Sequence, residues 1–247
     1  MKLDILAIGA HPDDIELGCS GTIITEIRNG KKVGIVDLTE GELGTRGSVE
    51  SRYKEATDAA RIMGVTVREN LQLPDGFFEN NPANQMKLIR YIRKYQPEIV
   101  LANAPEDRHP DHGRAARLIA DASFFAGLRK IETNDDEGLL QQAWRPKYVF
   151  HYIQDRYIEP SFVVDITDVF EDRMKAIAAY TTQFYNENYI ENDNMPQSYI
   201  STPVFIESVV ARARMMGKRI GVKFGEGFVT EKVIGIRNFD AIVQVTT

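Results

Sequence analysis

The chain has 247 residues, 43% of them hydrophobic and 27% charged, with a formal net charge of −6; that balance excludes wholesale disorder, and the acidic excess argues against nucleic acid or an anionic membrane surface as an obligatory partner. A single cysteine, Cys19, excludes an intrachain disulfide framework and fits a reducing compartment. No apolar run approaches the ~18 residues of a membrane span, and the strand-like opening without a charged leader predicts a cytoplasmic protein.

Leu3 to Gly9 is apolar and β-prone, and Gly18 to Arg28 predicts a helix closed at Asn29-Gly30. Lys32 to Thr39 is the next strand, and Glu50 to Met63 an amphipathic helix stopped by Gly64. Asn70 to Leu73 is a short strand before a Pro74-Asp75-Gly76 turn. Pro82 to Tyr95 is helical, Pro97 to Asn103 a strand, and Gly113 to Phe125 another helix. This alternation predicts an α/β, Rossmann-like fold, a mostly parallel sheet with helices on both faces. After residue 126 the rhythm loosens. Lys147 to Ile153 and Phe162 to Asp165 read as strands, Ile166 to Phe184 as a long helix, and Pro203 to Gly217 as the last helix. Between the last two helices, Asn186 to Gln197 is polar and reads as a surface loop. The expected organisation is one domain over residues 1–247: a core at 1–125 and an irregular C-terminal portion, 126–247, that completes the substrate site.

The four histidines are His11, His109, His112 and His151. His11 opens His-Pro-Asp-Asp directly after the first strand, and His109 opens His-Pro-Asp-His directly after the fourth. Open parallel sheets place their ligand crevice at the carboxyl ends of strands, and an order starting from the centre brings the first and fourth strands together. The combined inventory is then His11, Asp13, Asp14, His109, Asp111 and His112. Two imidazoles and a carboxylate make a zinc set, and a catalytic site needs three protein ligands and an open position. The same donors suit Fe(II). A structural zinc is commonly closed by cysteines, and only Cys19 is present. Alone, either motif has a plainer use, Asp13 or Asp14 as a helix cap and His112 as a helix-start residue. Their matching positions favour the metal site. His151, alone after an aromatic strand, reads as structural or substrate-adjacent.

The paired motifs resemble those of the LmbE/PIG-L-like zinc-dependent de-N-acetylases, which remove acetyl from N-acetylglucosamine conjugates. GELGTRGSVESRYKEA, residues 41–56, is similar to the family's segment after the second strand. ARARMMGKRIGVKFGEGF, residues 211–228, resembles the C-terminal signature of the bacillithiol-biosynthesis branch, which hydrolyses N-acetylglucosaminyl malate. The resemblance implies that His11, Asp14 and His112 bind the metal and that Asp13 is the general base. It assigns His109 to transition-state stabilisation, in protonated form, with Asp111 orienting its imidazole or standing behind the metal instead. His109 is three residues from His112 with Pro110 between, so it is not expected to share the metal. Arg52 and Arg108 are the implied substrate contacts, suited to the carboxylates of malate, while Arg46 would contact substrate or brace its loop. Glu16 would bond sugar hydroxyls or favour the helix dipole. A tyrosine of the C-terminal loop, Tyr199 or alternatively Tyr189, would reach the carbonyl. A homo-oligomer acting on a small aminosugar conjugate is expected from the same resemblance. A nucleotide-binding module is the competing class, but GAHPDDIELG lacks the G-x-G-x-x-G spacing and puts carboxylates where a pyrophosphate would sit. A phosphoesterase would be marked by two metals rather than one.

Overall fold

The computed structural model describes residues 1–185 and 195–241. Its strands are β1 (Ile5–Gly9), β2 (Val33–Thr39), β3 (Val67–Leu73), β4 (Ile99–Ala102), β5 (Tyr148–Tyr152), β6 (Phe162–Asp165) and β7 (Gly225–Val229). The helices are α1 (Asp14–Arg28), α2 (Val49–Met63), α3 (Pro82–Tyr95), α4 (Pro110–Phe125), α5 (Phe170–Ala178) and α6 (Pro203–Ile220). One sheet runs in the order β3-β2-β1-β4-β5-β7-β6. The first five of these strands are mutually parallel, and β7 is antiparallel to both β5 and β6.

Strand alternation sorts the core into two layers. From β1 and β2, Leu6, Ile8, Val36 and Leu38 pack with Leu88 and Ile92 of α3 and Leu118 of α4. Ile5, Ala7, Val33 and Ile35 face the other way, against Ile15 and Ile23 of α1, Ala176 of α5 and Ala213 of α6. A third cluster, including Leu17, Ala59, Ile177, Tyr180 and Phe205, joins α1, α2, α5 and α6 to one another. The parallel strands therefore have both faces covered, and what they offer solvent is their carboxyl ends. β1 pairs with β4 in register, Ile5 opposite Ile99 and Ala7 opposite Leu101. The two histidine motifs leave the sheet side by side.

Several elements differ from expectation. α1 and α4 each begin earlier than predicted, at Asp14 and Pro110, so Asp14 and His112 sit in first helical turns. The long helix over 166–184 is a 3-10 turn at Thr167–Val169 followed by α5, which ends at Ala178. Beyond it, Glu55 takes the backbone N–H of Thr182 at 2.7 Å and both Thr181 and Thr182 hydroxyls, contacts that compete with further helix. α6 runs on through Gly217 to a left-handed Gly221, φ 80°. Gly217 is required by packing, since a Cβ there would lie 2.8 Å from the Phe224 backbone. β7 is absent from the predicted elements, because Gly225 and Gly227 break the pattern of a strand. Residues 186–194 of the expected loop, Tyr189 among them, lie outside the described residues.

α1 is kinked at Cys19, φ −152° and ψ 17°. At the kink Glu226 of β7 accepts the backbone N–H groups of Gly21 at 3.0 Å and Thr22 at 2.7 Å, acting as an N-cap for the second half of the helix. Arg173 of α5 completes the buried pair, with Nε 2.9 Å from Glu226 Oε1 and Nη2 bonded to the Leu17 carbonyl. Removing the carboxylate would leave a buried guanidinium and two amide donors unmatched. Glu226→Ala is expected to lower the unfolding free energy by about 3–5 kcal/mol in urea denaturation; a loss under ~1 kcal/mol would show that the pair does not hold the kink.

Candidate metal centre and active site

His11 follows β1, and its backbone N–H donates to Asp14 Oδ2 at 3.0 Å. The Asp14 carboxylate is the focus of the site. It also accepts Asn103 Nδ2 at 3.0 Å and Gln154 Nε2 at 2.8 Å, from the residues just past β4 and β5. His112 Nε2 lies 3.1 Å from Asp14 Oδ1, and His11 Nδ1 lies 3.6 Å from Asp14 Oδ2. Each imidazole hands its far nitrogen to another carboxylate. His112 Nδ1 donates to Asp107 Oδ2 at 2.7 Å, and His11 Nε2 lies 3.0 Å from Asp75 Oδ1 and 3.3 Å from Asp111 Oδ2.

The donors are of the kind that hold a divalent cation: among the described residues, His11, His109 and His112, and likewise His11, Asp75 and Asp111, each bring ligand atoms within 4.8 Å of one another. Asp14 stands between the two rings with a different oxygen toward each, Oδ1 to His112 and Oδ2 to His11. The far-side carboxylates orient the rings as outer partners of metal-ligating histidines do. His109 also brings a ring nitrogen within 4.8 Å of those of His11 and His112. Pro110 therefore does not keep it away, contrary to the sequence expectation. Its Nδ1, however, accepts the Asp111 backbone N–H at 3.3 Å, which puts the proton of the neutral ring on Nε2. His109, which lines the cavity, therefore carries a donor nitrogen in its neutral form.

The electrostatics divide the two adjacent aspartates. Burial raises the Asp14 pKa, but the charge of His112 and the hydrogen bonds of His11 and His112 outweigh it and hold the carboxyl well below its usual range. Burial dominates at Asp13 and pushes its carboxyl up to about 7 against the opposing pull of Arg52. Asp13 also has a positive backbone φ of 129°, where a non-glycine residue carries strain. Arg52 holds it there, with Nη1 3.0 Å from Asp13 Oδ2 and 2.7 Å from the Pro12 carbonyl. At His112, Asp14 and Asp107 overcome burial and raise the pKa to about 9. Burial, with His11 and His112 nearby, lowers that of His109.

The structure revises further expectations for the site residues. The Asp111 side chain makes no hydrogen bond to His109 among the described residues, and of its two expected uses the contact 3.3 Å from His11 Nε2 agrees with the one behind a metal ligand. Arg114, one turn on in α4, takes Asp111 Oδ1 at 2.6 Å, and the Gly76 N–H takes Oδ2 at 2.8 Å, which turns the carboxylate toward His11. His109 is held toward the neutral form, not the protonated one. Arg52 is buried and lines the cavity, with Nη1 and Nη2 given to Pro12, Asp13 and Gln183, whose Oε1 lies 2.6 Å from Nη2, so that its two terminal nitrogens clamp the loop while Nε has no partner among the described residues. Glu16 is fully buried behind the loop, bonded to Arg68 at 2.6 Å and Tyr180 at 3.1 Å, and does not line the cavity. Arg108 and Tyr199 do line it, the guanidinium 4.6 Å from the tyrosine ring. Arg46 braces its loop through the carbonyls of Thr182, Met195 and Pro196. His151 is structural, its Nδ1 donating to the Asn103 carbonyl at 2.7 Å. Sequence reasoning misses Asp75, Asn103, Asp107, Gln154 and Gln183. Of these Asp107 carries a signal, five residues before His112 in the loop that leads into α4.

The family pattern described as PIG-L, GlcNAc-PI de-N-acetylase, matches residues 6–123, from β1 through most of α4. A diacetylchitobiose deacetylase of Thermococcus kodakarensis is 32% identical over 190 residues, covering 73% of this chain and 70% of that one. The chain belongs to the PIG-L family. Among solved structures, a conserved protein of Thermus thermophilus is 35% identical, with a TM-score of 0.81 over 95% of this chain and 98% of that one. A probable N-acetyl-α-D-glucosaminyl L-malate deacetylase 2 of Bacillus cereus is 26% identical over 202 residues, 74% of this chain and 84% of that protein.

Two measurements follow from the geometry. Asp107→Ala removes the partner of His112 Nδ1 and is expected to weaken divalent-cation affinity by about 10–100-fold in calorimetric titration. Arg52→Gln removes the charge that lowers the Asp13 pKa, so an NMR titration of that carboxyl is expected to move to higher pH; a midpoint unchanged or lower would overturn the assignment of Arg52.

Proposed function

We propose that this PIG-L family protein is a metal-dependent hydrolase that removes the acetyl group from an N-acetylglucosamine conjugate, with N-acetylglucosaminyl malate as its substrate. The observation that carries the reading is the Asp14 carboxylate flanked by two imidazoles, each backed by a further carboxylate on its far side. A zinc or iron(II) ion held by His11, Asp14 and His112 would supply Lewis acidity for the acetamide carbonyl and acidify a water.

The chain's own groups account for the proton transfers. Asp13 is the general base. A carboxyl with a pKa of about 7 accepts a proton from the attacking water and remains acidic enough to return it to the departing nitrogen. Arg52 and the strained backbone keep its oxygen on the cavity side of the loop. His109, with its proton on Nε2, donates to the oxyanion that develops as the carbonyl carbon becomes tetrahedral. The amide C–N bond then breaks, giving acetate and a free amine. The malate assignment is supported by the 211–228 segment and by the Bacillus cereus relative. The Thermococcus kodakarensis relative favours a second substrate, an N-acetylated disaccharide.

Amine release from a panel of N-acetylglucosaminyl conjugates separates these substrates, with the malate conjugate expected to give the highest kcat/KM. Asp13→Ala is expected to retain bound metal and lose about 10²–10⁴-fold in kcat, measured beside metal content; near-normal turnover would remove Asp13 from its role. Because Asp13 must be ionised to act, kcat/KM is expected to rise with pH along a limb at or below about 7, a bound cation drawing that limb down.

A further inference from the structure

The cavity in front of the candidate centre has a volume of about 450 Å³, room for a small-molecule ligand well beyond an acetamide. Four arginines line it: Arg46, Arg52, Arg108 and Arg212. Arg46 and Arg52 are engaged by backbone carbonyls and by Asp13 and Gln183. Arg108 gives Nε to Asp155 at 3.2 Å and lies on the Tyr199 ring. Arg212 is different. It stands on α6, half-buried, and makes no hydrogen bond or ion pair with any described residue. The acids nearest to it in the electrostatic field are Asp155 and Asp107, and both are occupied elsewhere. Asp155 holds Arg108, while Asp107 holds His112 and the backbone N–H groups of Arg108 and Arg156.

A half-buried guanidinium on a cavity wall, with no acceptor among the described residues, is free to give its donors to a ligand that enters the cavity. Its planar fork matches a carboxylate or a phosphate through two parallel N–H donors. We propose that Arg212, lining the same cavity as Arg108, forms an anion subsite that selects substrates carrying an acidic group on the half of the conjugate away from the acetamide. Arg212 is a specificity-determining residue in this assignment, which rests on the deacetylase reading. The ligand chemistry is a carboxylate or phosphate oxyanion taken by the Arg212 fork, with the Arg108 guanidinium, 4.6 Å from the Tyr199 ring, on the same cavity.

The test uses the full-length metal-loaded protein and two substrates with one skeleton, the N-acetylglucosaminyl malate and its neutral diamide. The parent is expected to prefer the diacid. In Arg212→Met that preference, the ratio of the two kcat/KM values, is expected to fall by roughly 10- to 100-fold, mainly through KM for the diacid. A ratio within about twofold of the parent's overturns the subsite. Should Arg212→Met fail to fold, Arg212→Lys keeps the charge and loses the fork; a fall in the ratio supports the subsite and an unchanged ratio overturns it. A second measurement does not depend on turnover. Calorimetric titration with free malate and with inorganic phosphate is expected to show anion binding that Arg212→Met weakens at least tenfold, the better ligand identifying which oxyanion the fork takes. Equal binding by parent and variant overturns the proposal. If the parent releases no amine from any conjugate, methyl N-acetylglucosaminide included, the deacetylase reading fails, and the anion titration still decides the subsite.

Discussion

Everything at the strand tips is arranged around the Asp14 carboxylate. It accepts a backbone N–H from His11 and side-chain amides from Asn103 and Gln154, and it stands against the imidazoles of His11 and His112. Those partners come from the loops after β1, β4 and β5, so a single anion ties three neighbouring parallel strands together at their carboxyl ends. A buried carboxylate with so many donors is ionised and immobile, which is what a cation site requires of its ligand. Asn103 extends the tie, since its Oδ1 accepts the Ala10 N–H at 2.9 Å and its carbonyl accepts His151.

The neighbouring aspartate is held by opposite means. Asp13 sits on a strained backbone, under-solvated and balanced by one guanidinium, so its carboxyl remains able to change protonation state near neutrality. Two adjacent carboxylates, one locked as an anion and one left near its titration point, are how a short loop serves as both ligand and base. The strain is supported from outside the loop. Gln183 grips Arg52, and its own Nε2 donates to the Arg46 carbonyl at 2.7 Å, so the C-terminal half of the chain braces the base of the N-terminal half. Behind the loop, Arg68 bonds Asp37 and Glu16 at once, a buried charge cluster between β2, β3 and α1. These are costly interactions to build in a core, and they converge on the same few residues.

Much of the fold is legible locally. Asn81 caps α3 ahead of Pro82, Ser48 caps α2, and Gly64 and Gly221 end their helices with left-handed backbones, signals carried by single residues. The strand β7 is not legible, because its stability comes from insertion between β5 and β6 and its glycines are there for close packing, not for propensity. The site shows the same division. His11, Asp13, Asp14, His109 and His112 announce themselves by spacing. The direction of Asp111 depends on Arg114 and Gly76, and the commitment of Arg52 depends on Gln183, 131 positions away. Glu16 reads as a first-turn acid near a ligand, but helical rotation turns it toward Arg68 and Tyr180.

What the sequence by itself determined is the chemistry available: an α/β alternation whose strand ends carry imidazoles and carboxylates, a set of residue types that can hold a cation and move a proton. Residue type and short-range periodicity are local properties, and a linear pattern expresses them fully. Only the tertiary structure decided the roles, because each role depends on which groups oppose one another across the sheet and how far water is excluded. Pairing β1 with β4 made two motifs into one centre, and burial that the Arg52 guanidinium does not offset set Asp13 apart from Asp14. The same kind of long-range accounting left Arg52 engaged and Arg212 open to the cavity.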